Sequence, residues 1–262
     1  MNTFRFFILL TALCANLAAN AAATSAAMLT ALHGQLENQG KSVALFDEFP
    51  PDTTLLLREQ AQASLVLFSS GQEFVLKGPI VITIKTHSIE AAGKPLAGKT
   101  LLAEAQQIKL AAQDFDQAAI MMRGNFDPLL LSYPTQTQVL ERHPDFSWQA
   151  PGEGYLYHLE IFNAGGDSIY SGQTKQTHLQ LPDTIQLPEA QTLIWELEAT
   201  KGGEALSNQA QFRLVPQTIA TQLNQAKPSP QASASEIALY QHLLANLGLT
   251  AEANKYRARL HP

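Results

Sequence analysis

Short stretches of alternating apolar and polar residues, most of them closed by glycine or proline, fill the sequence from residue 143 to 215. Phe146 and Trp148 are two apart, so an extended chain puts both rings on one face. Pro144, just ahead of them, sits where a strand start tolerates a missing N–H. The alternation returns at 155–163, 168–173, 177–181, 192–199 and 210–215. Several short strands at that spacing specify an antiparallel β-sandwich. Gly165-Gly166-Asp167 and Gly202-Gly203 read as its hairpin turns. The chain is therefore expected to be mainly β: an N-terminal domain of repeated hairpins (24–125), this sandwich (126–216), a linker (217–235) and a short helical hairpin (236–262).

The N-terminal domain shows the same grammar in shorter pieces. A Gln39-Gly40-Lys41 turn separates apolar stretches at 32–36 and 43–49, and Pro50-Pro51-Asp52 makes a corner before 54–57. In the next strand Ala63, Leu65 and Leu67 face one way and Ser64, Val66 and Phe68 the other, before Ser70-Gly71 turns the chain into 73–76. Gly78-Pro79 then leads into 80–84, whose continuous apolar run predicts burial on both faces. The order Gly34-Gln35-Leu36-Glu37, then Leu65–Phe68, Ser70-Gly71 and Phe74-Val75-Leu76-Lys77-Gly78 resembles the FecR-type periplasmic sensor domain. That resemblance implies a repeated-hairpin β-domain over about a quarter of the chain.

The second domain resembles a fibronectin type III or immunoglobulin-like module. The residues that carry this are Pro144-x-Phe146-x-Trp148, the stretch 155–161, Leu181-Pro182, the run Leu193 to Ala199 around Trp195, and Phe212. The cysteines of antibody domains are missing, so packing of Trp148 and Trp195 has to replace their staple.

The first 23 residues read as a secretory leader: one positive charge at Arg5, an apolar run over 6–15, and small-x-small sites at Ala19-Asn20-Ala21 and Ala21-Ala22-Ala23. A membrane anchor would need about twenty unbroken apolar residues, and Asn16 and Asn20 interrupt this run. Cys14, the single cysteine, lies inside the leader, and Leu13 before it is too large for a lipidation site. The mature chain is thus expected to have no thiol, which removes disulfides, thiolate nucleophiles and cysteine zinc sites together. Loss of Arg5 takes 17 basic residues to 16 against 23 acidic ones, a net charge of −7. With no basic stripe, nucleic acid and anionic membrane surfaces are poor partners. The expected location is the bacterial periplasm or the medium, with no membrane span once the leader is cut.

Between the β-domains, 101–112 is rich in helix formers, and 117–123 with Met121-Met122 either extends that helix or pairs as a strand. At the C-terminus Pro228 and Pro230 mark the linker, and Ser235 is placed to cap a helix from 236 to 247. Gly248 stops it, and Thr250 opens a second helix over 251–260. The order Leu243-Leu244-x-x-Leu247-Gly248-Leu249-x-x-Glu252-Ala253 looks like one piece of a tetratricopeptide repeat. A single helix pair cannot bury its own face, so the tail must dock on its own sandwich or on a partner. Docking on an envelope protein is favoured, with Ile237, Tyr240, Leu244 and Leu247 as the candidate partner-binding residues.

Nothing in the chain has the spacing of a catalytic motif. The seven histidines include no pair at metal-ligand spacing on one element, and there is no nucleophile elbow or His-Glu-x-x-His helix. Gly93-x-x-x-x-Gly98-Lys99-Thr100 matches the phosphate-loop string. Export and the lack of α/β surroundings assign that match to chance. Glu196 and Glu198 fall on the wet face of a strand. Neither metal nor cofactor is expected. These residues point to a non-enzymatic exported scaffold or envelope sensor component that binds other proteins. The alternative is a carbohydrate- or peptidoglycan-binding module, with or without hydrolase activity, in which Tyr155, Tyr157, Phe162 and Tyr170 would stack on sugar rings.

Overall fold

The structure, a computed structural model, describes residues 25–101 and 129–261. The expected leader, the helix expected after Leu101 and the Met121-Met122 stretch lie outside the described residues. The rest is mainly β, as expected, with a short helical end.

The first sandwich is built from β1 (Ala27–His33), β2 (Leu36–Asn38), β3 (Lys41–Ser42), β4 (Glu48–Phe49), β5 (Thr54–Leu57), β6 (Gln62–Leu67), β7 (Gln72–Lys77), β8 (Ile80–Ile84), β9 (Ile89–Ala91), β10 (Lys94–Pro95) and β11 (Lys99–Thr100). One sheet runs β11-β7-β6-β1-β4 and the other β10-β9-β8-β5-β2-β3. Their inner faces meet in a core that includes Leu29, Leu55, Leu65, Leu67, Phe74 and Ile82. Each large side chain buried there contributes about 1.5–3 kcal/mol. At the β7–β8 corner a Cβ on Gly78 would run into the Arg58 carbonyl, so only glycine lets this corner lie against the chain just past β5.

Burial on both faces of β8 is not observed. Ile82 and Ile84 are buried, but Val81 is 53% exposed. The outer face of this antiparallel sheet is left to solvent, and an apolar run does not by itself supply a second cover. The doubly covered strand is β6: Ala63, Leu65 and Leu67 enter the sandwich core, while Val66, together with Phe68 just past the strand end, packs outward under a helix.

The second sandwich comprises β12 (Leu131–Tyr133), β13 (Thr137–Val139), β14 (Asp145–Trp148), β15 (Leu156–Phe162), β16 (Ser168–Thr174), β17 (His178–Gln180), β18 (Thr192–Lys201) and β19 (Glu204–Leu214). A three-stranded sheet, β12-β14-β17, faces a five-stranded one, β13-β19-β18-β15-β16. All pairings are antiparallel except β13 with β19. Gly202 and Gly203, at φ +60° and +87°, form the two-residue turn joining Lys201 to Glu204, a geometry that requires positive φ at both positions. Trp148 on β14 and Trp195 on β18 meet across the two sheets at 6.4 Å between ring centroids, with Phe146 edge-on to Trp195 at 5.1 Å. The Trp195 indole N–H donates to the buried Pro134 carbonyl at 2.7 Å.

Three helices follow: α1 (Gln217–Gln225), α2 (Ala234–Asn246) and α3 (Thr250–Leu260). The expected linker is therefore half helix. Ile219, Ala220 and Leu223 make a short apolar stripe that α1 buries. The cap of α2 is Ser233 rather than Ser235. Ser233 accepts from the Glu236 N–H while the Glu236 carboxylate accepts from the Ser233 N–H, a full capping box. This cap also holds the Glu236 carboxyl below the usual carboxylate range, through the Ser233 backbone N–H first and its hydroxyl second. Among the described residues no helix is long and apolar enough to cross a membrane.

Candidate functional site

The four residues expected to face a partner are inside the molecule. Ile237 and Leu247 are 7% exposed, Tyr240 2% and Leu244 0%. α2 is buried on nearly every side because it lies between two surfaces of its own chain. Tyr240, Leu244 and Leu247 join Leu223 of α1 and Ala253 of α3 in a helical core, and the Tyr240 hydroxyl donates to the Leu223 carbonyl at 3.1 Å. Ile237 points the other way, into Met28, Val66 and Phe68 on the outer face of the first sandwich. The exposed stripe that partner docking requires is absent: the tail docks in cis.

Polar contacts fix this dock at both ends. On the first sandwich the Ser235 hydroxyl donates to Glu73 Oε1 at 2.6 Å and shares a 2.7 Å hydrogen bond with Thr30 Oγ1. His242 stacks flat on Phe68 at 3.6 Å, and His261 meets Phe46 edge-on at 4.9 Å. On the second sandwich Gly248 ends α2 at φ +71°, aiming its carbonyl at β13, where the Gln138 N–H (2.9 Å) and the Thr137 hydroxyl (3.1 Å) donate to it. Arg142 pairs with Glu189 at 2.8 Å, and Glu189 accepts from the first N–H of α1 at 3.0 Å. The helices thus bracket the two sandwiches.

Within the bracket sits a buried carboxyl. Glu252 is 7% exposed; one oxygen accepts from the Tyr133 hydroxyl at 3.4 Å, and the other is without a hydrogen-bond partner among the described residues. Burial pushes the Glu252 carboxyl up; its own backbone N–H opposes this first, Glu141 adds to the rise, and Lys255 and the Tyr133 hydroxyl oppose it further. Burial likewise pushes the Tyr133 hydroxyl far above its ordinary value. A carboxyl with a raised folded pKa keeps its proton longer in the folded chain. Its contribution is therefore full below the unfolded pKa of about 4.3 and is lost as pH rises through the folded value. Glu252→Gln removes that loss. Its urea midpoint is expected to lie above that of the wild type at neutral pH and to converge on it near about pH 4. A midpoint equal to or below wild type at neutral pH would contradict this account.

The outer face of the five-stranded sheet carries the other feature. His158 lies opposite Glu198, and Glu160 opposite Glu196. With Leu206 and Ser207 they line an open groove of about 380 Å³. His158 is hydrogen-bonded to Ser171 at 2.8 Å, and Glu160 accepts from Ser168 at 2.7 Å. Among the described residues no group of three His, Cys, Asp or Glu side chains is placed to share a metal ion. The four rings considered for sugar stacking form no platform: Tyr157 is buried, Tyr155 and Tyr170 pack partly against the core, and Phe162 is half-buried. Of the phosphate-loop string, Gly93 turns between β9 and β10, and Lys99-Thr100 pairs with Gln72 and Glu73.

Sequence reading missed the receiving surfaces, above all Met28, Thr30, Phe68 and Glu73 on one side and Tyr133 and Thr137 on the other. Apolar residues on both faces of β1 and β6 were the one available signal. Fold and site together define a pair of β-sandwiches braced by their own C-terminal helices. No family model matches the chain, and no curated protein matches it. Among solved structures it is similar to CopC from Methylosinus trichosporium OB3b, at 13% identity and a TM-score of 0.27, over 34% of this chain and 95% of that one. That similarity is too low to bear on fold or function.

Proposed function

We propose that this protein is an exported, non-enzymatic binding scaffold of the bacterial envelope, with a FecR-like sandwich and a fibronectin type III or immunoglobulin-like sandwich held in one arrangement. The observation that carries the reading is the helical bracket, which contacts both sandwiches and buries its apolar residues against its own chain. Two domains fixed in advance meet a partner without first losing their relative freedom, which favours binding. The strand order of the second sandwich supports the immunoglobulin-like reading, with three strands facing five and β13 running parallel to β19. The leader pattern supports export.

Expression with the leader intact tests the first half: the expected product is periplasmic and has the mass of the chain without its leader. The mature chain, immobilised, is then expected to retain a saturable envelope protein at physiological salt and to leave cell-wall polysaccharide unbound. An uncleaved cytoplasmic product, or capture of polysaccharide with no protein, would overturn the reading.

A further inference from the structure

Helix α3 meets the second sandwich through a short polar chain. The Tyr133 hydroxyl, at the end of β12, lies between two carboxyls, 3.3 Å from Glu141 Oε2 just past β13 and 3.4 Å from Glu252 Oε1 on α3. A tyrosine hydroxyl carries one proton, and an ionised carboxylate has none to give. Tyr133 therefore satisfies one of the two, and the other faces its lone pairs. Glu141 is exposed and has water to turn to, whereas Glu252 is 7% exposed and its second oxygen has no hydrogen-bond partner. One added proton completes the set. A protonated Glu252 donates to the Tyr133 oxygen, and Tyr133 donates on to the Glu141 carboxylate, so each hydrogen bond has its donor. Without that proton two negative charges address a single donor, and one of them is buried away from water.

We propose that Glu252, Tyr133 and Glu141 form a one-proton latch that fastens the helical tail to the second sandwich and frees it when the proton leaves. The other ionisable groups around Glu252 are Lys255, three residues along α3, and Tyr240 on α2 with Tyr256 beside it. Lys255 is exposed, so water screens its pull. Burial pushes both tyrosine hydroxyls above their ordinary value, so they stay neutral. Arg142, next to Glu141, is paired with Glu189. Once the tail lifts off, Glu252 is an ordinary carboxyl with a pKa of about 4.3. Above that pH lifting releases a proton, and the opening equilibrium rises by up to about tenfold per pH unit. The rise ends where pH passes the docked value of Glu252. The tail is thus tightest in acid. That gives the scaffold proposed above a regulated arrangement, a use that rests on that reading, while the latch itself works in the isolated chain with no partner present.

Hydrogen exchange of the isolated chain from residue 24 onward measures the opening. Amides of α3 are expected to exchange faster than those of β18, because the tail opens while the sandwich stays folded. At each pH the wild type is compared with Glu252→Gln, which keeps the shape and has no proton to lose, so the intrinsic exchange rate cancels. The ratio of α3 opening, wild type over variant, is expected to climb by up to about tenfold per pH unit above about pH 4.3 and then to level off. Glu141→Gln is expected to move the levelling to lower pH, since Glu141 helps to hold the proton on Glu252. Glu141 is exposed, so this second variant leaves the packing in place. Three results would overturn the proposal: α3 and β18 exchanging alike at every pH, parallel pH profiles in the wild type and Glu252→Gln, or a levelling point that Glu141→Gln leaves unmoved. A chain that binds no envelope protein but shows the expected profiles would overturn the scaffold reading and leave the latch standing.

Discussion

Leu244→Asp is expected to free the helical tail from both sandwiches while each sandwich stays folded. Leu244 is fully buried in the helical core, among Leu223, Tyr240, Leu243 and Ala253. Truncating such a leucine costs about 2–5 kcal/mol through lost contacts and the cavity left behind. An unpaired carboxylate adds several kcal/mol more, because it would be buried in an apolar cluster. The other apolar contacts of the helices, Ile237, Ala238, Leu239 and Leu260 against the first sandwich, need α2 and α3 held together, and an isolated helix hairpin cannot bury its own apolar face, so loss of this cluster is loss of the bracket. Limited proteolysis reads the outcome. The variant is expected to be cut quickly in the 226–233 connector and to leave a stable fragment holding both sandwiches, whereas the wild type resists. Equal cutting rates in the two proteins would contradict the cis dock.

Trp195→Ala is expected to unfold the second sandwich or bring it close to unfolding. The ring is fully buried and touches Phe146 at 5.1 Å and Trp148 at 6.4 Å. Removing a large aromatic from such a position costs about 3–5 kcal/mol, a large share of a domain stability of about 5–15 kcal/mol. The change also strands the buried Pro134 carbonyl that the indole N–H satisfies, worth about 1–3 kcal/mol more. No disulfide compensates, since the only cysteine of the sequence is Cys14. Trp148 is the one other tryptophan, so its fluorescence in the variant reports on this sandwich alone. A denaturant midpoint within error of the wild type would show that the aromatic cluster does not replace the missing staple.

The second sandwich was legible because its inner residues alternate cleanly. The stretch 155–163 became Leu156–Phe162, and 168–173 became Ser168–Thr174. The last strand was read too short, from 210 instead of Glu204. Its first half, Ala205 to Gln209, has no alternation of its own and is held in register by β18 through the Gly202-Gly203 turn. Ser233 could have been read as the cap of α2, because Glu236 three residues later completes the capping box. Ile219, Ala220 and Leu223 marked α1, but the polar residues around them hid a stripe only one turn long. The destination of the tail was beyond the sequence. Ser235 bonds to Thr30 and Glu73, 205 and 162 residues away, and no periodicity links such positions. The long apolar run of β8 drew attention to the wrong outer face, while the covered one, at Met28, Val66 and Phe68, showed only as apolar residues on the second side of β1 and β6.

The central claim is that the tail locks the two sandwiches into one arrangement within a single molecule. Because the only cysteine of the sequence is Cys14, spin labels can be placed in the chain from residue 24 onward at Val81→Cys on the first sandwich and Leu156→Cys on the second, both exposed positions. Electron–electron dipolar spectroscopy, with the labelled chain diluted into excess unlabelled chain, then reads the distance within one molecule. The bracket predicts a single narrow distribution that becomes broad when Leu244→Asp is added. A distribution that is already broad in the chain with Leu244 intact, or one that stays narrow in the variant, would contradict it.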